Sequence, residues 1–291
     1  MNYRHHFHAG NFADVMKHAL FVRLLRALQR KEKGILYLDT HAGRGRYDLA
    51  AAAAGDTLAR RPEWPDGIGR LWALPAGDVP AGLGDYLALV RDFDRRAGNL
   101  DGAPRFYPGS PWLAHALARP VDRLVFCEKH PAECGALRAE FAGLPRVAVQ
   151  EDDGYTAVRA LLPPRERRAL LLMDPPFEEP DEFARLATAL AEGLQRFPSG
   201  TYAIWYPLTA RAKADAFLNA VRNLAPPPAL ALELDIAGAD AAIKLKGCGV
   251  LVLNPPWQFE AEARAIVTAL AGLLAQAPGA AARVQWIVPE R

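Results

Sequence analysis

Ile35-Leu36-Tyr37-Leu38-Asp39-Thr40-His41-Ala42-Gly43-Arg44-Gly45 is an apolar run that enters a Gly-x-Gly turn. Apolar residues without polar alternation suit a strand covered on both faces. The two glycines let the backbone turn sharply and approach a nucleotide-like ligand closely. Only two of the three dinucleotide-fingerprint glycines are present, so the segment taken alone also fits a plain tight turn.

Upstream of this run, Asn11 can cap a helix, and Asp14 in the first turn complements the helix dipole. Phe12, Val15, Met16, Ala19, Leu20, Leu24 and Leu28 recur at helical spacing, and Gly34 is expected to end that helix. Downstream, strands are expected at 123–128, 146–150, 169–174, 201–206, 230–236, 250–254 and 283–288. Helices are expected at 131–141, 156–162, 181–197, 210–224 and 260–275. This alternation implies an α/β fold: a mostly parallel sheet with helices on both faces. Residues 52–105 break the rhythm with an alanine run and Pro62, Pro65, Pro75 and Pro80, and read as a small helical insertion in a single domain spanning 1–291. Helical stretches are expected at 86–93 and 112–118. Residues 1–34 form an N-terminal segment and helix.

At 291 residues and 51% hydrophobic, the chain can bury a sizeable core. No apolar run is long enough to span a membrane, and no secretory signal is expected at the N-terminus. The three cysteines, Cys127, Cys134 and Cys248, are scattered and lack zinc-site pairing, which points to a reducing, cytoplasmic setting. Residues 1–50 carry nine Lys or Arg against four acids, 9 − 4 = +5, leaving 2 − 5 = −3 for the remainder. A basic end suits a polyanionic partner and equally a solvated helix face.

The sharpest chemical signal is Leu170-Leu171-Leu172-Met173-Asp174-Pro175-Pro176-Phe177. The strand delivers Asp174 to the carboxyl edge of the sheet, where open α/β folds bind ligands. The prolines fix the backbone and carry no N–H. An amino group on an aromatic ring is a poor nucleophile because its lone pair is delocalised. Asp174 and the Pro175 carbonyl can accept its two N–H bonds and turn the lone pair toward a methyl donor. The methylated nitrogen is cationic and acidic, so an ordinary carboxylate suffices to take its proton. Phe177 offers a face for a base to stack on. Asn254-Pro255-Pro256-Trp257 fits the same loose pattern, but follows a late strand and is read as structural. Glu128 ends a strand and can bind ribose hydroxyls; it can also be a surface acid. An acid in Glu151-Asp152-Asp153-Gly154 can accept a bond from an adenine amino group, or Asp153 can simply cap a helix. Tyr3-Arg4-His5-His6-Phe7-His8 leaves metal binding, phosphate contact, base stacking and packing open. No carboxylate or thiolate joins the histidines at ligand spacing, so no metal is expected.

The segments Tyr3-Arg4-His5, Phe7-His8-Ala9-Gly10-Asn11, Ala13-Asp14-Val15 and Lys17-His18 resemble the RlmJ family, which methylates N6 of one adenine in large-subunit ribosomal RNA. The resemblance continues through Tyr37 to Gly43, Tyr107-Pro108-Gly109-Ser110-Pro111, Asp153-Gly154, Asp174 to Phe177, Trp205-Tyr206-Pro207, Asn254 to Trp257 and Trp286 to Glu290. It implies a Rossmann-like class I S-adenosylmethionine-dependent methyltransferase whose partner is 23S ribosomal RNA, monomeric and not membrane-bound. It further implies a cofactor site of His18, His41, Gly43, Ser110, Glu128, Asp153, Gly154 and Asp174. Asp174 would be the catalytic acceptor, with Pro175, Phe177 and Lys17 in the active site and Tyr3, His5 and Phe177 near the base. The family often shows tyrosine where Phe177 stands. Arg44 is a further candidate for the cofactor carboxylate. Rival readings are an adenine methyltransferase of DNA or another RNA, and a non-catalytic RNA-binding protein of the same fold. A nicotinamide-dependent dehydrogenase is disfavoured by the missing third glycine and the distant acid.

Overall fold

In the computed structural model, residues 7–51, 61–80 and 82–290 are described. The run that opens the strand pattern forms β1 (Leu36–Asp39), buried at all four positions. It lies between β4 (Arg123–Cys127) and β6 (Ala169–Met173), parallel to both. On the far side of β4 runs β5 (Val147–Gln150), and beyond β6 runs β7 (Thr201–Pro207), again parallel. Three antiparallel strands complete the sheet: β8 (Ala229–Asp235), β9 (Gly247–Leu253) and β10 (Ala281–Val288). The order is β10-β8-β9-β7-β6-β1-β4-β5.

Alternate strand residues face opposite layers, as the two-residue period requires. Tyr37, Phe126, Leu170 and Leu172 enter one core, with helices α1 (Phe12–Gln29), α4 (Ser110–Leu117) and α9 (Phe259–Leu273). Leu36, Leu38, Val125, Leu171 and Met173 enter the other, with α6 (Gly154–Leu161), α7 (Glu182–Arg196) and α8 (Arg211–Asn223). Helices therefore cover both faces, which is why the central strands carry no polar alternation. The chain builds outward from β1 through β4 and β5, then crosses to β6 on the other side. The order reverses between β1 and β6, and a crevice at the carboxyl edge is expected at such a switch.

Two features depart from the sequence reading. The first helix ends at Gln29, five residues before Gly34. Arginines from distant segments satisfy the terminal carbonyls: Arg119 donates to Gln29, Lys31 and Lys33, and Arg168 to Leu28 and Lys33. A short antiparallel ladder, β2 (Arg46–Asp48) with β3 (Phe106–Pro108), was not expected at all. Within the 52–105 stretch, the described residues carry single 3-10 turns at 64–66 and 76–78 with α2 (Ile68–Trp72) and α3 (Gly84–Arg96). Residues 52–60 and 81 lie outside the described residues.

Candidate active site

Helix α1 starts where Asn11 accepts a bond from the Asp14 N–H, 2.9 Å, at its N-cap. Asp14 thereby stands on the first turn, with Oδ2 accepting from Gly10 N–H at 3.0 Å and Oδ1 from Lys17 Nζ at 2.8 Å. Lys17 is 6% exposed. Its second partner is Asp174, one residue past β6, whose Oδ2 lies 2.5 Å from Nζ. Burial alone would depress this ammonium, but Asp14 and Asp174 outweigh it and hold its pKa well above the ordinary lysine value. Oδ1 of Asp174 has no recorded partner among the described residues, and the side chain keeps a fifth of its surface open.

The glycine turn lies beside this pair. Asp39 closes β1 and is fully buried; the residue it matches on β6 is Leu172, two positions before Asp174. Its carboxyl accepts bonds from Tyr37 hydroxyl (2.9 Å), Ser110 hydroxyl (2.6 Å) and His41 N–H (3.3 Å). Burial pushes its pKa up to about 6; the Ser110 and Tyr37 bonds oppose that rise and the Asp174 charge adds to it. His41 is partly exposed, bonded through Nδ1 to the Thr40 hydroxyl and set edge-on to Tyr155. Burial pushes its pKa down to about 4, so the ring is neutral at pH 7. Gly43 takes φ +61° and donates its N–H to Glu128 Oε2 at 2.8 Å, while Glu128 Oε1 accepts from His130 N–H at 2.7 Å. Gly154 opens α6 so close to the turn that a Cβ there would sit 2.0 Å from the Thr40 carbonyl oxygen. The segments around Gly43, Glu128, Gly154 and Asp174 thus converge on one edge of the sheet.

Other expected residues have protein partners. His18 is buried, its Nδ1 2.8 Å from the Tyr107 hydroxyl, which bonds on to Tyr86. Asp153 caps α6 through Tyr155 N–H and accepts from Lys129 and Arg185. Arg44 forms a bidentate pair with Glu133 of α5 (Pro131–Glu140), both contacts at 2.8 Å. Phe177 sits at φ +50° and packs against Phe183 and Trp205, partly exposed. Pro175 is buried. Tyr3 and His5 lie outside the described residues. Asn254 ends the antiparallel β9 and so stands at the opposite edge of the sheet, where its amide donates to the carbonyls of Pro198 and Gly200, both 2.8 Å.

Sequence reasoning gave no role to Asp14 beyond the helix dipole and none to Asp39. The i, i+3 spacing of Asp14 and Lys17 was the available signal. The basic N-terminal segment is largely neutralised: Arg23 and Arg30 pair with Glu262, Arg26 with Asp85, and Arg46 with Glu140. Among the described residues no three His, Cys, Asp or Glu side chains gather to hold a metal, and no helix is long and apolar enough to cross a membrane.

Comparison with known proteins bears on this geometry. A family model described as "Ribosomal RNA large subunit methyltransferase D, RlmJ" matches residues 32–288. The chain is 38% identical over 290 residues to ribosomal RNA large subunit methyltransferase J of Escherichia coli K12, covering 100% of both. The corresponding protein of Haemophilus influenzae is 37% identical over 290 residues, again with complete coverage of both. Among solved structures, protein LPL1258 of Legionella pneumophila is similar at TM-score 0.83 and 33% identity, covering 96% of this chain and 98% of that one.

Proposed function

Because this chain belongs to the RlmJ family of ribosomal RNA large subunit methyltransferases, we propose that it methylates the exocyclic N6 of an adenine in 23S ribosomal RNA. The methyl donor is S-adenosylmethionine, which supplies an electrophilic methyl on a sulfonium sulfur. The described residues fit that cofactor. Gly43 turns the chain in a left-handed conformation, Gly154 lets α6 abut the Thr40 carbonyl, and Glu128 presents a carboxylate beside the glycine turn. The buried Nδ1 of His130, two residues past Glu128, has no protein partner, the kind of polar atom a bound nucleoside satisfies.

One observation carries the assignment. Asp174 stands at the carboxyl edge beside the switch point, anchored through Oδ2 by Lys17 and with Oδ1 unengaged. On this reading Oδ1 and the Pro175 carbonyl accept the two amino hydrogens of the target base. That grip localises the nitrogen lone pair and aims it at the methyl group. As the N–C bond forms, the methyl–sulfur bond breaks and its electron pair leaves with the neutral thioether S-adenosylhomocysteine; the nitrogen carries the positive charge and Asp174 takes its proton. Lys17, held on its other side by Asp14, fixes the carboxylate in place, so little reorganisation accompanies the step. Phe177 offers a ring edge or face to the base from its place beside Trp205. Tyr3 and His5 are assigned to the same base, and His18, His41, Ser110 and Asp153 to the walls around the cofactor. We infer a cytoplasmic protein acting as a single copy on RNA, whose bases open more cheaply than those of a DNA duplex.

The test is mass mapping of N6-methyladenine in 23S ribosomal RNA from cells with and without the protein, repeated with purified protein, RNA and S-adenosylmethionine. One adenine gaining fourteen mass units on addition of the protein supports the reading (a methyl replacing a hydrogen, roughly 14 Da). A methyl mark that appears only on another nucleic acid, or on a ring nitrogen, overturns it.

A further inference from the structure

The edge of the sheet opposite Asp174 gathers four basic segments. These are 31–35 before β1, 119–123 leading into β4, Arg146 before β5 and 165–168 before β6. They are tied by backbone bonds from Leu36 N–H to the Arg168 carbonyl and from Leu124 N–H to the Arg146 carbonyl, both 2.9 Å. Gly34 allows the closest approach, since a Cβ there would lie 2.1 Å from the Val121 carbonyl oxygen. These segments hold eight Lys or Arg against Glu32, Asp122 and Glu166, 8 − 3 = +5, whereas the whole chain carries +2.

Seven of the eight cations divide into two groups; the eighth, Arg165, is exposed and paired with Glu166 at 3.1 Å. Arg119, Arg123 and Arg168 are partly buried and bonded to Asp122, to Glu166 and to main-chain carbonyls, so they build the scaffold. Lys31, Lys33, Arg146 and Arg167 are exposed and make no recorded side-chain hydrogen bond or ion pair among the described residues. Arg146 and Arg167 stand at φ +62° and +54°, a left-handed conformation that glycine or asparagine would adopt more readily. Among the described residues, no intramolecular partner accounts for these four exposed cations on one edge. Burial and the neighbouring Arg119 charge push the Arg168 pKa below its usual value, a sign that positive charge is crowded there.

We infer that this amino edge is a second RNA-binding surface, on which Lys31, Lys33, Arg146 and Arg167 contact phosphates of the substrate away from the target base. The inference rests on the ribosomal RNA methyltransferase reading and extends it to how a folded substrate is held. Strand β6 separates the two edges by five residues, about 15 Å at roughly 3.3 Å per residue. That exceeds the Debye length of about 8 Å at physiological salt, so the patch cannot act as a local field at Asp174. It must touch a different stretch of the same RNA, which selects a large folded RNA over a short strand.

The test uses the full chain with Lys31→Gln, Lys33→Gln, Arg146→Asn and Arg167→Asn combined; asparagine tolerates the left-handed backbone at the last two. Binding to 23S transcript and to an eight-nucleotide adenine-containing RNA is measured across a salt series. Each lost phosphate contact lowers the slope of log affinity against log salt by about 0.7–0.9. The expected result is a slope lower by about three and an affinity roughly tenfold weaker for the long transcript, with no change for the short RNA. A second variant with Arg146→Lys and Arg167→Lys keeps the charge and should keep the slope. Thermal melting and calorimetry with S-adenosylmethionine confirm that the variants are folded. An unchanged slope for the long transcript overturns the patch while wild-type methylation of it upholds the function. A patch-dependent slope without any methylation does the reverse, and wild-type protein that does not bind the transcript removes both.

Discussion

Lys17 Nζ and Asp174 Oδ2 stand 2.5 Å apart although 157 positions separate them in the chain. The lysine is not an isolated cation, because Asp14 holds it from the opposite side at 2.8 Å. Two carboxylates sharing one buried ammonium fix the Asp174 carboxyl from behind. Its other oxygen has no partner among the described residues, and the side chain is 19% exposed.

Replacing Lys17 by methionine removes a buried charge that compensates two carboxylates of low exposure. Breaking a buried pair from one side costs about 3–5 kcal/mol, and the partial exposure of Asp174 favours the lower end. Denaturant unfolding should show that loss, and adding Asp14→Asn to Lys17→Met should recover part of it. If the double variant is no more stable than the single one, Asp14 and Lys17 are not coupled.

Asp39 and His41 should impose opposite pH dependences on stability. The folded state raises the Asp39 pKa from its ordinary value near 3.9 to about 6, so it binds that proton more tightly than the unfolded chain does. Stability from this group falls as pH rises from about 4 to 6 and is flat above, a change of up to about 3 kcal/mol at 1.36 kcal/mol per unit. His41 is the mirror case: its folded value near 4 lies below the ordinary 6.5, so its contribution is lost as pH falls through that interval. Being partly exposed, it contributes the smaller swing. In the wild type the two oppose each other. Asp39→Asn should therefore lose stability on acidification from pH 6.5 to 4.5 relative to wild type, and His41→Asn should gain. Unfolding free energies at four pH values check this, and parallel curves for all three proteins would reject it.

Gly154→Ala adds a Cβ 2.0 Å from the Thr40 carbonyl oxygen, so α6 and the glycine turn must separate. Overpacking of this kind costs about 1–3 kcal/mol. Because the displaced backbone lines the proposed cofactor walls, calorimetry should show weaker S-adenosylmethionine binding, by tenfold or more. Gly135 has open space around it, so Gly135→Ala serves as the control. Equal affinity for both variants would separate Gly154 from the cofactor.

The parallel half of the sheet was legible because burial on both faces leaves continuous apolar runs, as in residues 36–38 and 169–173. Elements held only by distant partners were not. β2 and β3 have three residues each and form only because Arg46–Asp48 meets Phe106–Pro108 across the inserted segment. The end of α1 depends on Arg119 and Arg168, which no local signal announces. Within the site, Asp174 was visible from its own octapeptide. Nothing in the residues around Arg44 indicates its pairing with Glu133, 89 positions away. Asp39 reads locally as a turn acid; its raised pKa comes from burial, which no local signal announces.

The two Pro-Pro tetrapeptides should separate cleanly in their failures. Asp174 is partly open, lies at the carboxyl edge and has one oxygen unengaged, so Asp174→Asn removes the proton acceptor and disturbs the Lys17 pair. Turnover should drop at least about 100-fold, as general acid–base contributions of 10²–10⁴ imply, while S-adenosylmethionine still binds. Asn254 lies at the other edge, with its amide on two carbonyls and its backbone at φ +50°. Asn254→Gly keeps that backbone without strain and deletes only the side-chain bonds. It should cost about 1–3 kcal/mol of stability and leave kcat intact at a temperature where the variant is folded. Methylation kinetics and thermal melts on both variants decide the matter. An Asn254→Gly protein that is stable but inactive would move the chemistry to the wrong edge of the sheet, and an active Asp174→Asn protein would remove the carboxylate from it.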